Sequence, residues 1–134
     1  MTRTFTLDQA NRMLPLVRRI VQDIVAHYEQ WQQVVGEFEV ATGKMRDVEA
    51  SDRAEAMQIE AQRIAEEIQH FIEELTALGV QFKGFDLGLV DFPSEMDGRP
   101  VLLCWKLNEP EVAFWHEVDG GYAGRQPLVP ALQQ

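Results

Sequence analysis

Apolar residues recur every three, then four, positions through most of the first 78 residues. In one run they are Leu7, Ala10, Leu14, Val17, Val21, Ile24, Tyr28, Trp31, Val35 and Phe38. In the next they are Ala50, Ala54, Met57, Ala61, Ile64, Ile68, Phe71, Leu75 and Leu78. That period predicts two long helices laid side by side as an antiparallel coiled-coil hairpin over 5–79. Phe5-Thr6-Leu7-Asp8-Gln9-Ala10 reads as the helix start. Thr6 can cap, Gln9 completes a capping box, and Phe5 and Ala10 sit where a hydrophobic staple closes. Pro15 falls inside the first helix, where it removes one backbone bond and should bend the axis. The helix is expected to run to about Glu39, a rod of roughly 50 Å. The hairpin turn belongs near Gly43. Asp47, Glu49 and Ser51 place acceptors where the second helix begins, and Gly79 ends it.

The first helix carries a second apolar row at seven-residue intervals, Met13, Ile20, His27 and Val34, and the second helix adds Ala65 and Ile72. Such a face is too wide for one partner helix. The C-terminal sheet, a second copy of the chain, or both must cover it. After Gly79 the pattern changes. Val80-Gln81-Phe82 is a short extended segment, and Phe85 to Phe92, Pro100 to Leu107 and Glu111 to Val118 are β-rich runs. Ser94-Glu95-Met96-Asp97-Gly98 and Asn108-Glu109-Pro110 separate them as turns. The expectation is a three-stranded antiparallel β-meander with Val101-Leu102-Leu103-Cys104-Trp105 as its covered central strand. The fold class is therefore α+β: a two-helix hairpin (5–79), then a small meander and C-terminal tail (80–134). A chain of 134 residues fits a single domain.

Composition narrows the function classes. The net charge of −10 is shared by the helical and β parts. An evenly acidic surface is a poor ligand for phosphate backbones and is repelled by anionic membranes, so neither nucleic acid nor membrane is an expected partner. The single cysteine, Cys104, excludes an internal disulfide. No signal peptide and no span-length apolar run is visible, which leads to a cytoplasmic expectation.

Several stretches match a known pattern. They are Gly88-Leu-Val-Asp91-Phe92-Pro93, Leu103-Cys104-Trp105-Lys-Leu-Asn-Glu109, Phe114-Trp115-His116 and Gly121-Tyr-Ala-Gly-Arg125. The opening Phe5-Thr-Leu-Asp-Gln-Ala-Asn-Arg-Met-Leu-Pro15-Leu-Val belongs with them. Together they resemble the bacterial family known as domain of unknown function 2203, over nearly the whole chain. The resemblance implies a helical part followed by a C-terminal domain. It supplies no activity and no catalytic residues.

Three groups of residues could carry chemistry. If Asp97-Gly98 is a two-residue turn, stepping back along the ladder sets Asp91 opposite Cys104. If the next turn centres on Glu109, Cys104 faces Phe114 and His116 lies one diagonal away. Acid, thiol and imidazole would then share a face, fit to activate a thiolate or to ligate a divalent metal such as zinc. A slip of one residue would separate them. The competing reading makes Cys104 a core residue, Asp91 a strand-end cap and His116 a backbone-bonded imidazole. Glu67-x-x-His70 has the spacing of di-iron bundles, but Glu67 flanks the seam and His70 points away from it. His27 sits one turn after Asp23 and is expected to bond that acid. Finally, Arg125 in its glycine-rich loop could hold an anion or pair with Glu109, Glu111 or Glu117. Trp105 and Trp115, with Phe114 and Tyr122, could flank a ligand pocket or belong to the core.

Two functions follow from these readings. In one, the protein is a small acidic interaction protein that self-associates through its hairpin, as a homodimer or with a partner's helices. In the other, it is a metal- or small-ligand-binding enzyme with its site on the meander. Cys104 would then be nucleophile or ligand, His116 base or ligand, and Asp91 the orienting acid, with Glu109 and Arg125 beside them.

Overall fold

The computed structural model describes residues 3–43 and 48–128. Helix α1 spans Leu7–Gly43 and α2 spans Val48–Leu78. The first helix thus runs past its expected end at about Glu39 and takes in Gly43, near which the turn is expected, while 44–47, with the Asp47 cap, lie outside the described residues. The helix boundaries that are described follow local chemistry. The Thr6 N–H donates to Gln9 Oε1 at 2.9 Å, and the Gln9 N–H donates to Thr6 Oγ1 at 3.1 Å, so the capping box closes in both directions. Pro15 lies within α1 without ending it. At the far end of α2, Gly79 takes a φ of 89°. Its N–H donates to the Thr76 carbonyl at 3.0 Å, and the Val80 N–H donates to the Leu75 carbonyl at 2.9 Å. Those two bonds make a Schellman termination, and Leu75 and Val80 are both buried beneath it.

The chain then forms a five-stranded antiparallel meander in sequence order: β1 (Gln81–Gly84), β2 (Leu89–Met96), β3 (Arg99–Trp105), β4 (Phe114–Glu117) and β5 (Gln126–Pro127). The count corrects the three-stranded expectation. Both additional strands are edge strands: β1 overlaps the short extended segment expected at Val80-Gln81-Phe82, and β5, at two residues, is too short to show an alternating pattern. The strand limits also shift. Residues 85–88 form a turn, and β2 continues through Ser94 to Met96, so the turn itself is only Asp97-Gly98. Both of those residues have positive φ, 53° and 78°, which gives a two-residue turn whose twist suits a hairpin. β3 is the central, buried strand, as its composition predicts.

The hairpin packs on one face of this sheet. Val90, Phe92, Leu103 and Trp105 join Leu14, Val17, Ile20, Val21, Ile24, Ile64, Ile68 and Leu75 in one core. The sheet thereby covers Ile20, and Met13 and Val34 pack at the margin of the same core. At the joint between strand, turn and helix, Tyr28 stacks on Phe85 with ring centroids 4.4 Å apart, and Phe82 meets Phe85 edge-on at 4.9 Å. Two polar side chains one heptad apart on α1 fasten the loop between β3 and β4. Asn11 brackets Val112, accepting from its N–H at 2.7 Å and donating to its carbonyl at 3.3 Å. Arg18 donates to the Pro110 carbonyl at 3.0 Å. The segment before α1 runs past β2: the Phe5 N–H donates to the Pro93 carbonyl at 2.7 Å, and Ser94 Oγ donates to the Phe5 carbonyl at 2.6 Å. No described helix is long and apolar enough to cross a membrane.

Candidate functional site

The register decides the site. Asp91 pairs with Cys104 across β2 and β3, and Cys104 pairs with Phe114 across β3 and β4. His116 pairs with Leu102, two residues along. Side chains alternate across a strand, so Asp91, Cys104 and His116 all project from the sheet face opposite the helices. One ligand atom from each lies within 4.8 Å of the others.

All three side chains are sealed from solvent, although α1 and α2 pack on the other face of the sheet. Cys104 has no exposed surface, and the His116 and Asp91 side chains are 2 % and 4 % exposed. The loop after β4 folds back over them. There the Arg125 guanidinium lies 3.8 Å from the centre of the Phe114 ring and 5.0 Å from that of Tyr122. Arg125 Nη2 donates to both carboxylate oxygens of Glu109, at 2.8 and 2.7 Å. Glu109 also accepts from the Lys106 N–H at 2.9 Å and its carbonyl takes the Trp105 indole N–H at 2.9 Å, so one residue ties the β3–β4 loop to the returning tail. Arg125 Nε, by contrast, is buried with no hydrogen-bond partner.

His116 is held at both ends. Its Nδ1 lies 2.6 Å from the Glu117 carbonyl, which can only accept, so Nδ1 carries a proton. Its Nε2 lies 3.0 Å from Asp91 Oδ1. Burial pushes the Cys104 thiol up to about 12. The negative charge and hydrogen bonding of Asp91 add to this, and Arg125 offsets it in part. The thiol is therefore fully protonated at neutral pH, and this environment does not generate a free thiolate nucleophile. A stability consequence follows. An unfolded thiol ionises near ~8.5, whereas the folded one keeps its proton to about 12. Between those values the unfolded chain binds fewer protons, so stability falls as pH rises. Wild type should lose up to ~1.4 kcal/mol per pH unit relative to Cys104→Ala above about pH 9. Urea midpoints of the two proteins, compared at neutral and alkaline pH, measure this. Parallel pH profiles would show that the thiol is not shielded.

The remaining candidates sit elsewhere. Trp105 and Trp115 project toward the helices: Trp105 is fully buried in the core and Trp115 packs against it, so neither lines the acid–thiol–imidazole face. Arg125 takes Glu109 as its carboxylate, and Glu117 pairs instead with Arg99 at 2.6 Å. Glu67 and His70 diverge. His70 is 78 % exposed beside Glu73, while Glu67 contacts Arg63 on its own helix and reaches His27 Nε2 across the hairpin at 2.9 Å. His27 thus corrects expectation: Asp23 offers it a main-chain carbonyl at 2.7 Å, and the acid it meets is Glu67. Asn11 and Arg18 are polar side chains that hold the β3–β4 loop to α1. In the sequence they show only as a seven-residue spacing on one side of α1. Two clefts, of about 550 and 430 Å3, lie beside the N-terminal segment and away from the cluster. The first runs between Arg3, Gly79 and Lys83, the second between Phe5, Met96 and Leu128.

A long helical hairpin laid on a five-stranded antiparallel meander, with a buried Asp–Cys–His cluster on the meander's far face, defines an α+β protein. The chain belongs to the family described as "Uncharacterized conserved protein (DUF2203)", whose sequence pattern matches residues 3–128. No curated protein matches the chain. No solved structure matches it either.

Proposed function

We propose that this protein is a small cytoplasmic interaction module that self-associates through the far part of its hairpin, where two copies pair as a coiled-coil, four-helix assembly. Neither nucleic acid nor membrane is its partner, on grounds of charge. The observation that supports the reading is how far the helices outrun the sheet. The core takes α1 residues up to Ile24 and α2 residues from Ile64, with Tyr28, Trp31 and Val34 at its edge. Beyond it, Val35 and Phe38 on α1 and Met57 and Ala61 on α2 are only half-buried, and Val40 and Ile59 are 59 % and 64 % exposed. From residue 31 to 43 the arm extends about 20 Å.

Helical stability comes mainly from burying an apolar face, and two helices packed only on each other bury a narrow seam. A twofold-related second arm would sandwich the half-buried side chains between four helices. Like-charged chains repel, so association should strengthen with added salt. The test is mass by light scattering across micromolar concentrations. Wild type should approach twice the 15.3 kDa chain mass. Phe38→Glu combined with Ile59→Glu should return a monomer with unchanged circular dichroism. A wild-type monomer throughout, at low and high salt, would overturn the reading.

A further inference from the structure

We infer that Asp91, Cys104 and His116 form a site for one transition-metal dication, and that zinc is the ion their chemistry selects. The three donors come from three adjacent strands, β2, β3 and β4, so the sheet itself fixes their spacing. One ligand atom from each already lies within 4.8 Å of the others, a separation that small side-chain adjustments bring to tetrahedral bond lengths of roughly 2.0–2.3 Å. The orientation of His116 is the second, independent observation. A metal-bound histidine almost always donates its other ring N–H to a carbonyl or carboxylate. Nδ1 of His116 does this with the Glu117 carbonyl at 2.6 Å and leaves Nε2 facing the cluster.

The donor set decides the ion. One sulfur, one imidazole nitrogen and one carboxylate oxygen suit zinc and its borderline neighbours, whereas magnesium and calcium require oxygen. Thiolate and carboxylate together cancel the two positive charges, and the thiol proton leaves to solvent as the metal–sulfur bond forms. Three protein ligands leave one tetrahedral position for water or an added anion. Arg125, whose buried Nε has no partner, sits close enough to influence Cys104 and is the group that such an anion would meet.

The experiment is cobalt(II) titration of the full-length chain after chelator treatment. Cobalt bound through sulfur should show a thiolate-to-metal charge-transfer band and tetrahedral d–d absorption, saturating at one ion per chain and displaced by zinc. Cys104→Ser should abolish the charge-transfer band. His116→Gln should weaken binding by at least the ~100-fold that loss of a supporting group alone can cause. Circular dichroism of each metal-free protein reports whether it is folded. If a variant is not, the wild-type titration with magnesium as control decides. Folded wild type that gives no charge-transfer band would overturn the site. So would a band that survives in Cys104→Ser, or a thermal shift that magnesium reproduces in full. None of these outcomes bears on the mass measurement that tests self-association.

Discussion

Gly88→Val should be among the most damaging single substitutions in this protein, lowering unfolding free energy by roughly 4 kcal/mol. Two costs combine at this position. Gly88 has a φ of 61°, a conformation that a β-branched side chain strongly resists. It also lies where the 85–88 turn presses on α1. A Cβ there would stand 2.9 Å from Leu107 Cβ, 2.9 Å from Val21 Cγ1 and 3.3 Å from Val25 Cγ2. Val21 and Val25 belong to the packed helix α1, and Leu107 is held in the turn after β3, where its N–H donates to the Leu87 carbonyl at 3.1 Å, so none can swing clear as a surface lysine could. Backbone strain accounts for about 1–3 kcal/mol and overpacking for a similar amount. Gly98 separates the two. Its φ is 78°, yet a Cβ there meets nothing within 4 Å. Gly98→Ala therefore reports strain alone, and Gly88→Ala reports strain plus collision. Denaturant midpoints at constant m-value should rank Gly88→Val below Gly88→Ala, and that below Gly98→Ala. Equal costs for the two alanine variants would mean that the turn does not pack on α1 as described.

The second large effect belongs to Asp91→Ala, with an expected loss of about 3–5 kcal/mol in metal-free protein. Asp91 faces a buried imidazole and a buried thiol at once, and the side chains of the Asp91–His116 pair are almost wholly enclosed. Removing the carboxylate leaves His116 Nε2 with no hydrogen-bonding partner in a place that water does not reach, and such an orphan costs more than the bond contributed. The double variant Asp91→Ala/His116→Leu should be less damaging than the sum of its parts, because it removes the stranded group as well. A coupling of roughly 1–3 kcal/mol in a double-mutant cycle is expected. Additive losses, or an Asp91→Ala cost within about 0.5 kcal/mol of wild type, would show that the pair is open to solvent.

Much of this architecture is readable without coordinates, because the interactions behind it are local. The Thr6–Gln9 box, the helical periods and the Gly79 termination each involve residues three to five apart. The Asp97-Gly98 turn is similarly local, and it sets a register that carries outward residue by residue. From it, the meeting of Asp91 with Cys104 follows by counting. The strand total was less legible. Gln81–Gly84 overlaps the short extended segment at Val80-Gln81-Phe82, but so brief a stretch does not declare its partner, and Gln126–Pro127, with no apolar rhythm of its own, is a strand only because β4 offers it an edge.

The chain alone therefore determined two long helices, their apolar faces, the central strand and the alignment that gathers acid, thiol and imidazole. Only the tertiary structure decided which surfaces meet. It turned Trp105 and Trp115 toward the helices, joined His27 to Glu67 across the hairpin, and folded Arg125 back onto Glu109 and Phe114. Periodicity states which side of an element is apolar, but not which distant element will cover it. That choice is a competition among long-range contacts, won by the arrangement that buries the most surface with the fewest unpaired polar groups.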